Sequence, residues 1–99
     1  MNIEADKVYT FKLNSGEELV AKVLAVNVDT IDVEHPVSVA PGPQGMGLMP
    51  SLFTADPAKR IVLNNSSVAI IGETDDAVRD KYIEATTGIK LPSKKLILG

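Results

Sequence analysis

The side chains able to make and break bonds are few in this sequence, and their spacing does not suit them to it. His35 is the only histidine and there is no cysteine, so no second imidazole or thiolate is present to complete a metal site or a nucleophilic triad. His35 precedes Pro36, and that pair reads as a turn. Paired carboxylates occur at Glu17-Glu18 and Asp75-Asp76, but adjacent residues point in different directions along a strand, so neither pair suggests an acid-base couple. Gly42, Gly45 and Gly47 lack the strand before, the helix after and the lysine that a phosphate-cradling loop needs. These residues predict a protein that is not an enzyme, with no metal and no cofactor.

Composition sets the frame. A chain of 99 residues has the size of one domain, with too little left over for a second core. Hydrophobic residues make up 44% and charged residues 23%, an ordinary globular balance. No apolar stretch approaches the roughly 18 residues that cross a bilayer, and the first residues carry no basic, apolar leader. The expectation is a soluble cytoplasmic protein without membrane contact. The absence of cysteine fits a reducing compartment. Net charge is −3, divided as −4 over residues 1–55 and +1 over residues 56–99. Neither half is a basic patch, which argues against duplex DNA as a partner.

The pattern along the chain is that of strands and one late helix. Residues 8–13 place Tyr9, Phe11 and Leu13 on one face. Asn14-Ser15-Gly16 is a turn in which Gly16 can take positive φ. Residues 19–26 are apolar on both faces, as in a long bent strand, and residues 30–34 alternate again until His35-Pro36 interrupts the ladder. Pro and Gly crowd residues 40–60, which read as a long exposed loop leading into an edge strand near 48–53. Residues 61–63 and 68–71 form a last hairpin around Asn64-Asn65-Ser66-Ser67. A helix of about 75–87 follows, with Thr74 as N-cap, Val78, Tyr82, Ala85 and Ile89 as an apolar stripe, and Gly88 as its stop. The stripe is expected to cover an open end of the barrel. The tail, residues 88–99, carries Leu96-Ile97-Leu98 and suggests a docked strand.

This succession resembles the Sm-like family. Phe11-Lys12-Leu13-Asn14-Ser15-Gly16-Glu17 is similar to the start of the family's first signature, and Val62-Leu63-Asn64-Asn65-Ser66-Ser67-Val68 occupies the place of the second. The resemblance covers roughly residues 8–39 and 61–71. The insert at 40–60 and the helix at the C-terminal end look like the small Sm-like proteins of tailed phages, particularly those of cyanobacteria. It implies a mainly β fold, a small, strongly bent, five-stranded Sm-like (SH3-like) barrel with a C-terminal helix, forming one domain over residues 1–99 with its core at 8–71. It also implies a homo-oligomeric ring, between pentamer and heptamer, in the cytoplasm (that of the host if the protein is viral).

In the family, two loops make a pocket for a base of single-stranded RNA. Counted from Gly16, the first-loop positions fall on Asn27, Asp29 and Ile31, and the Arg-Gly pair falls on Asn64 and Asn65. The stacking ring and the cation of the family are therefore missing. Asn27, Asp29, Thr30, Asn64 and Asn65 remain as candidate RNA contacts, since amides offer both hydrogen-bond polarities; turn chemistry explains the same residues. Four aromatic residues in the whole chain leave little for base stacking, which is worth roughly 1–3 kcal/mol per base. Ring assembly needs only unpaired edges and apolar rims. Leu63, Val68, Ile70 and Phe53 are the candidate interface residues, with Val20, Leu24, Val37 and Val39 as flanking apolar surface. Two functions follow. One is a ring that binds single-stranded RNA or serves RNA metabolism, weakened by Asn65→Ala. The other is a non-catalytic oligomeric adaptor or structural protein that binds a protein partner through the 40–60 loop or the helix and has lost RNA binding.

Overall fold

Alternation in the first segment builds an antiparallel hairpin from β1 (Val8–Leu13) and β2 (Glu18–Val26), with Tyr9 opposite Ala21 and Phe11 opposite Leu19. The turn between them works through Gly16, whose φ is +94° and whose N–H donates to the Leu13 carbonyl at 2.8 Å. Only a residue without Cβ takes that conformation at little cost. The computed structural model describes residues 2–87; Gly88, Ile89 and the tail expected to dock as a strand lie outside the described residues.

Beyond this hairpin come β3 (Thr30–Gly42), β4 (Gly45–Pro50), β5 (Ile61–Asn64), a 3-10 turn (Asn65–Ser67), β6 (Val68–Glu73) and the helix α1 (Asp76–Thr87). All six strands belong to one antiparallel sheet in the order β4-β3-β2-β1-β6, with β5 also on β3. The fold is mainly β and strongly curled, as the sequence leads one to expect. Six strands appear instead of five because one is broken in two. β4 pairs with β3 from Gly42 back to Val37, and β5 continues along the same edge from Val33 back to Thr30. The break falls opposite His35-Pro36.

That break has a local cause. The β2–β3 register passes from Val20↔Val37 to Lys22↔Glu34, so β3 holds one residue more than β2. His35, in the bulge, has φ +50° and donates its N–H to the Pro57 carbonyl at 2.8 Å. A bulge of this kind bends the strand and increases its twist. Residues 51–60 make an excursion over it, and the Ser51 N–H returns to the Pro36 carbonyl at 3.0 Å. The long loop expected at 40–60 is therefore two things: a tight hairpin at Pro43-Gln44 with Gly45 at φ +104°, and this shorter excursion. Gly45-Met46-Gly47 carries no alternation of its own, and β3 imposes the strand on it.

The curl shows in how the 3-10 turn is held. Asn14, after β1, donates from its backbone to Ser67 at 2.8 Å and from its side chain to Ser66 at 2.7 Å; Asn65 donates from its backbone to the Asp29 carbonyl at 3.0 Å. The turns at the two ends of β2 thus bond to one three-residue segment. A straight strand of nine residues would keep them roughly 26 Å apart. β5 lies on the edge of β3 and β6 on the edge of β1, so at one end of the curled sheet the chain passes from one border to the other.

Two apolar clusters follow from the alternation. Tyr9, Phe11, Leu19, Ala21, Val23, Ile31 and Val33 fill the inside of the curl. Val20 and Val37, on the opposite face, are covered by Tyr82 and Val78 of α1. The helix stripe therefore lies on the outer face of β2 and β3 and does not plug an open end of the barrel; Ala85 is exposed. Asp75 caps α1, its carboxylate accepting the Ala77 N–H at 3.1 Å, while the expected cap Thr74 is buried with its hydroxyl 3.0 Å from that of Thr10. Tyr82 pins the helix. Its hydroxyl accepts the Lys22 N–H at 2.9 Å and donates to the Glu34 carbonyl at 3.0 Å, so it is inserted in the ladder beside the bulge. Burial pushes its phenol up to about 12.

Candidate nucleic-acid interface

The polar residues singled out from the sequence meet at one end of the curled sheet, beside the 3-10 turn. Thr30 begins β3 and pairs with Asn64, the last residue of β5. The Asn65–Asp29 backbone bond brings the second loop against the first, and the Asn65 amide donates to the Val28 carbonyl at 3.4 Å. Asn27, Asp29, Thr30, Asn64 and Asn65 are therefore neighbours, although 33 or more residues separate the two groups in sequence.

Their hydrogen bonds divide them. Asn27 donates its amide to the Thr30 hydroxyl at 3.1 Å and to Asp32 Oδ1 at 3.2 Å, and its backbone N–H bonds the Thr30 carbonyl at 2.8 Å. That is turn chemistry of the sort asparagine favours. Asn65 ties the two loops together. The exposed side chains of Asp29 and Asn64 hold no such bonds among the described residues, and Asn64 is the amide best placed to meet a ligand.

Two further residues join the cluster that sequence reasoning missed. Asp32 is 7% exposed, and its second carboxylate oxygen lies 3.5 Å from Arg60 Nε. The Arg60 side chain is itself 71% exposed. Period-two alternation puts Asp32 on the face of Thr30, which is a legible signal; nothing in the sequence places Arg60 beside it, because the excursion 51–60 separates them from any simple register.

The candidate interface residues separate by face. Leu63 and Val68 are half-buried and pack against the inner cluster. Ile70 is 62% and Phe53 79% exposed. Of the flanking residues, Val20 and Val37 are buried beneath α1, because the helix takes the outer face that the sequence leaves open. The border of β4 away from β3 and that of β6 away from β1 have no partner strand among the described residues. Between them, beside α1, runs a cleft of about 510 Å³ whose apolar lining includes Val20, Val39, Leu48, Ile70 and Val78. Met46, Met49, Leu52 and Phe53 are each exposed, with Met46 and Met49 on opposite faces of β4 by alternation.

Among the described residues no group of three or more His, Asp or Glu side chains is arranged to hold a metal ion, and no helix is long and apolar enough to cross a membrane. His35 lies 3.6 Å from Glu34, whose carboxylate also approaches Lys22 at 3.9 Å. Compared with known proteins, the chain matches no family model and no curated sequence.

Proposed function

We propose that this chain is the subunit of an Sm-like ring that holds single-stranded RNA at the paired loops 27–30 and 64–65. The observation that carries the reading is the Asn65–Asp29 bond, which assembles a polar cluster from two distant segments at one end of a curled sheet. The free borders of β4 and β6 support the ring. Each runs for six residues, each offers backbone donors and acceptors to a neighbour, and head-to-tail pairing of unlike borders generates a closed ring when the rotation closes. The apolar Ile70 beside the β6 border would be buried in such a contact.

The test is light scattering on the purified chain, with fluorescence anisotropy against short oligouridine and oligoadenine at low salt. The expected result is a mass several times that of one chain, with binding that weakens as salt rises. Asn64→Ala should weaken binding without loosening the loops, whereas Asn65→Ala also removes the tie to Val28. A monomer that binds neither oligonucleotide overturns the proposal.

A second reading has its own support. Met49, Leu52 and Phe53 are exposed apolar residues close together in sequence, at the end of β4 and the start of the excursion, and exposed apolar residues that gather mark contact sites. In the adaptor reading these residues take a protein partner, and replacing Met49 and Phe53 by serine abolishes that contact while leaving RNA affinity and mass unchanged.

A further inference from the structure

We infer that Arg60 is a phosphate-binding residue, oriented for that purpose by Asp32 and Asn27. The inference rests on the reading of the 27–30 and 64–65 loops as an RNA site and adds the cation which that site otherwise lacks.

The geometry begins with the face. Ile31, Val33, Ile61 and Leu63 belong to the inner cluster or pack against it, so Thr30, Asp32, Val62 and Asn64 point outward from β3 and β5. Arg60 immediately precedes β5 and reaches back along this outer face to Asp32. Arg60 and Asn64 thus stand on one face with their Cα positions four residues, roughly 13 Å, apart along the strand, and the contact with Asp32, which pairs with Val62, draws the guanidinium toward the Asn64 end. Val62, 55% exposed, lies between them.

Asp32 is held from both sides. One carboxylate oxygen accepts from the Asn27 amide at 3.2 Å and the other faces Arg60 Nε at 3.5 Å. Asp32 thus holds the Nε side of the Arg60 guanidinium beside it as an ion pair, while the Arg60 side chain stays largely exposed. The two Nη groups are the pair that would match a phosphate in bidentate fashion. Glu34, the next carboxylate along this face of β3, is engaged by Lys22 and His35, so Asp32 is the only acid in contact with Arg60 among the described residues. An arginine drawn toward a protein carboxylate samples less space than a free one before it meets a ligand. Asp32 and Asn27 are positioning residues; Arg60 makes the contact. RNA laid along β5 would meet an amide at the loop end and a charged fork beside Asp32.

Anisotropy with a short fluorescein-labelled oligouridine, titrated between ~50 and ~200 mM salt, tests the assignment. Arg60→Gln should weaken binding roughly tenfold at the lower salt, as for loss of a hydrogen bond to a charged group. It should also reduce the slope of log affinity against log salt by about 0.7, the value for one phosphate on a single strand. Arg60→Lys should keep the slope, because it keeps the charge. Asn64→Ala should weaken binding with the slope unchanged. If wild type binds and Arg60→Gln leaves both affinity and slope unaltered, the assignment of Arg60 is wrong while the RNA reading stands. If wild type does not bind, both fall.

Discussion

Replacing Tyr82 by Phe removes one oxygen atom and should unseat the helix. The phenol oxygen accepts from the Lys22 N–H and donates to the Glu34 carbonyl, at a point where the bulge at His35-Pro36 has shifted the β2–β3 register. Tyr82 is 2% exposed, so phenylalanine keeps the ring contacts with Val20 and Val37 and leaves two backbone groups without partners. Each such group costs about 1–3 kcal/mol when buried. Lys22 and Glu34 are only half-buried, so water reaches the site in part and the low end applies, about 2 kcal/mol in total. For a domain of this size that lowers Tm by about 8–16 °C. Urea denaturation and thermal melts at one fixed protein concentration measure it, since the proposed assembly would make Tm concentration-dependent.

The same oxygen gives a pH signature. Burial raises the phenol to about 12 in the folded chain, against about 10 when unfolded. The unfolded chain therefore loses its proton first as pH rises. Stability from the neutral phenol is fully present below about pH 10 and is lost as pH climbs through 12. The gap between wild type and Tyr82→Phe should narrow over that window by up to about 2 kcal/mol. A variant within about 0.5 kcal/mol of wild type at pH 8, with no change in the gap up to pH 12, would refute the reasoning.

Phe11, fully buried at the centre of the inner cluster, should lose about 3–5 kcal/mol on substitution by Ala, a large part of the 5–15 kcal/mol of a typical domain; urea titration or the yield of folded protein reports it. Gly16→Ala should cost about 1 kcal/mol, because the position holds φ +94° although nothing crowds a Cβ there. A shift in urea midpoint without a change in slope would identify strain alone. Ile70→Lys on the border strand β6 should leave far-UV circular dichroism unchanged and reduce the mass seen by light scattering to that of one chain, since a charge on an edge opposes pairing.

Much of the architecture is legible in the chain, and the reasons for the rest are physical. Tyr9, Phe11 and Leu13 announce β1 by alternation, and Gly16 and Asn14 mark its turn. His35-Pro36 correctly signals a disruption of the ladder, but β3 resumes beyond it because a bulge absorbs one residue while Val37 and Val39 still find β2. The edge strand expected near 48–53 lies at 45–50 instead; Gly45-Met46-Gly47 supply no period, and only the edge of β3 makes them extended. The helix is visible through Val78 and Tyr82, yet its seat is not. A stripe of that width fits an open barrel end or an outer face equally well, and the Tyr82 hydroxyl, with its two backbone partners more than 45 residues away, decides between them. The loop positions of the candidate site are legible only through the resemblance to the Sm-like family, counted from Gly16. Arg60 was missed because an ion pair between a strand start and a buried carboxylate depends on the course of the excursion 51–60.

The bulge links these features. Without the extra residue in β3, β4 and β5 would form one continuous strand, the excursion 51–60 would have no gap to leave from, and the Tyr82 hydroxyl would have no opening in the ladder to enter. The helix could then cover Val20 and Val37 only by packing, with nothing to fix its position along the strands. Because the hydroxyl fixes it, α1 stays to one side of the outer face. Ile70 remains exposed beside it, and the borders of β4 and β6 have no partner strand among the described residues. Anchoring of the helix at one point thus keeps open the surface on which a second copy would have to pair. Loss of the Tyr82 hydroxyl should therefore weaken assembly as well as stability, and a Tyr82→Phe protein that melts earlier yet retains its full assembled mass at low concentration would separate the two.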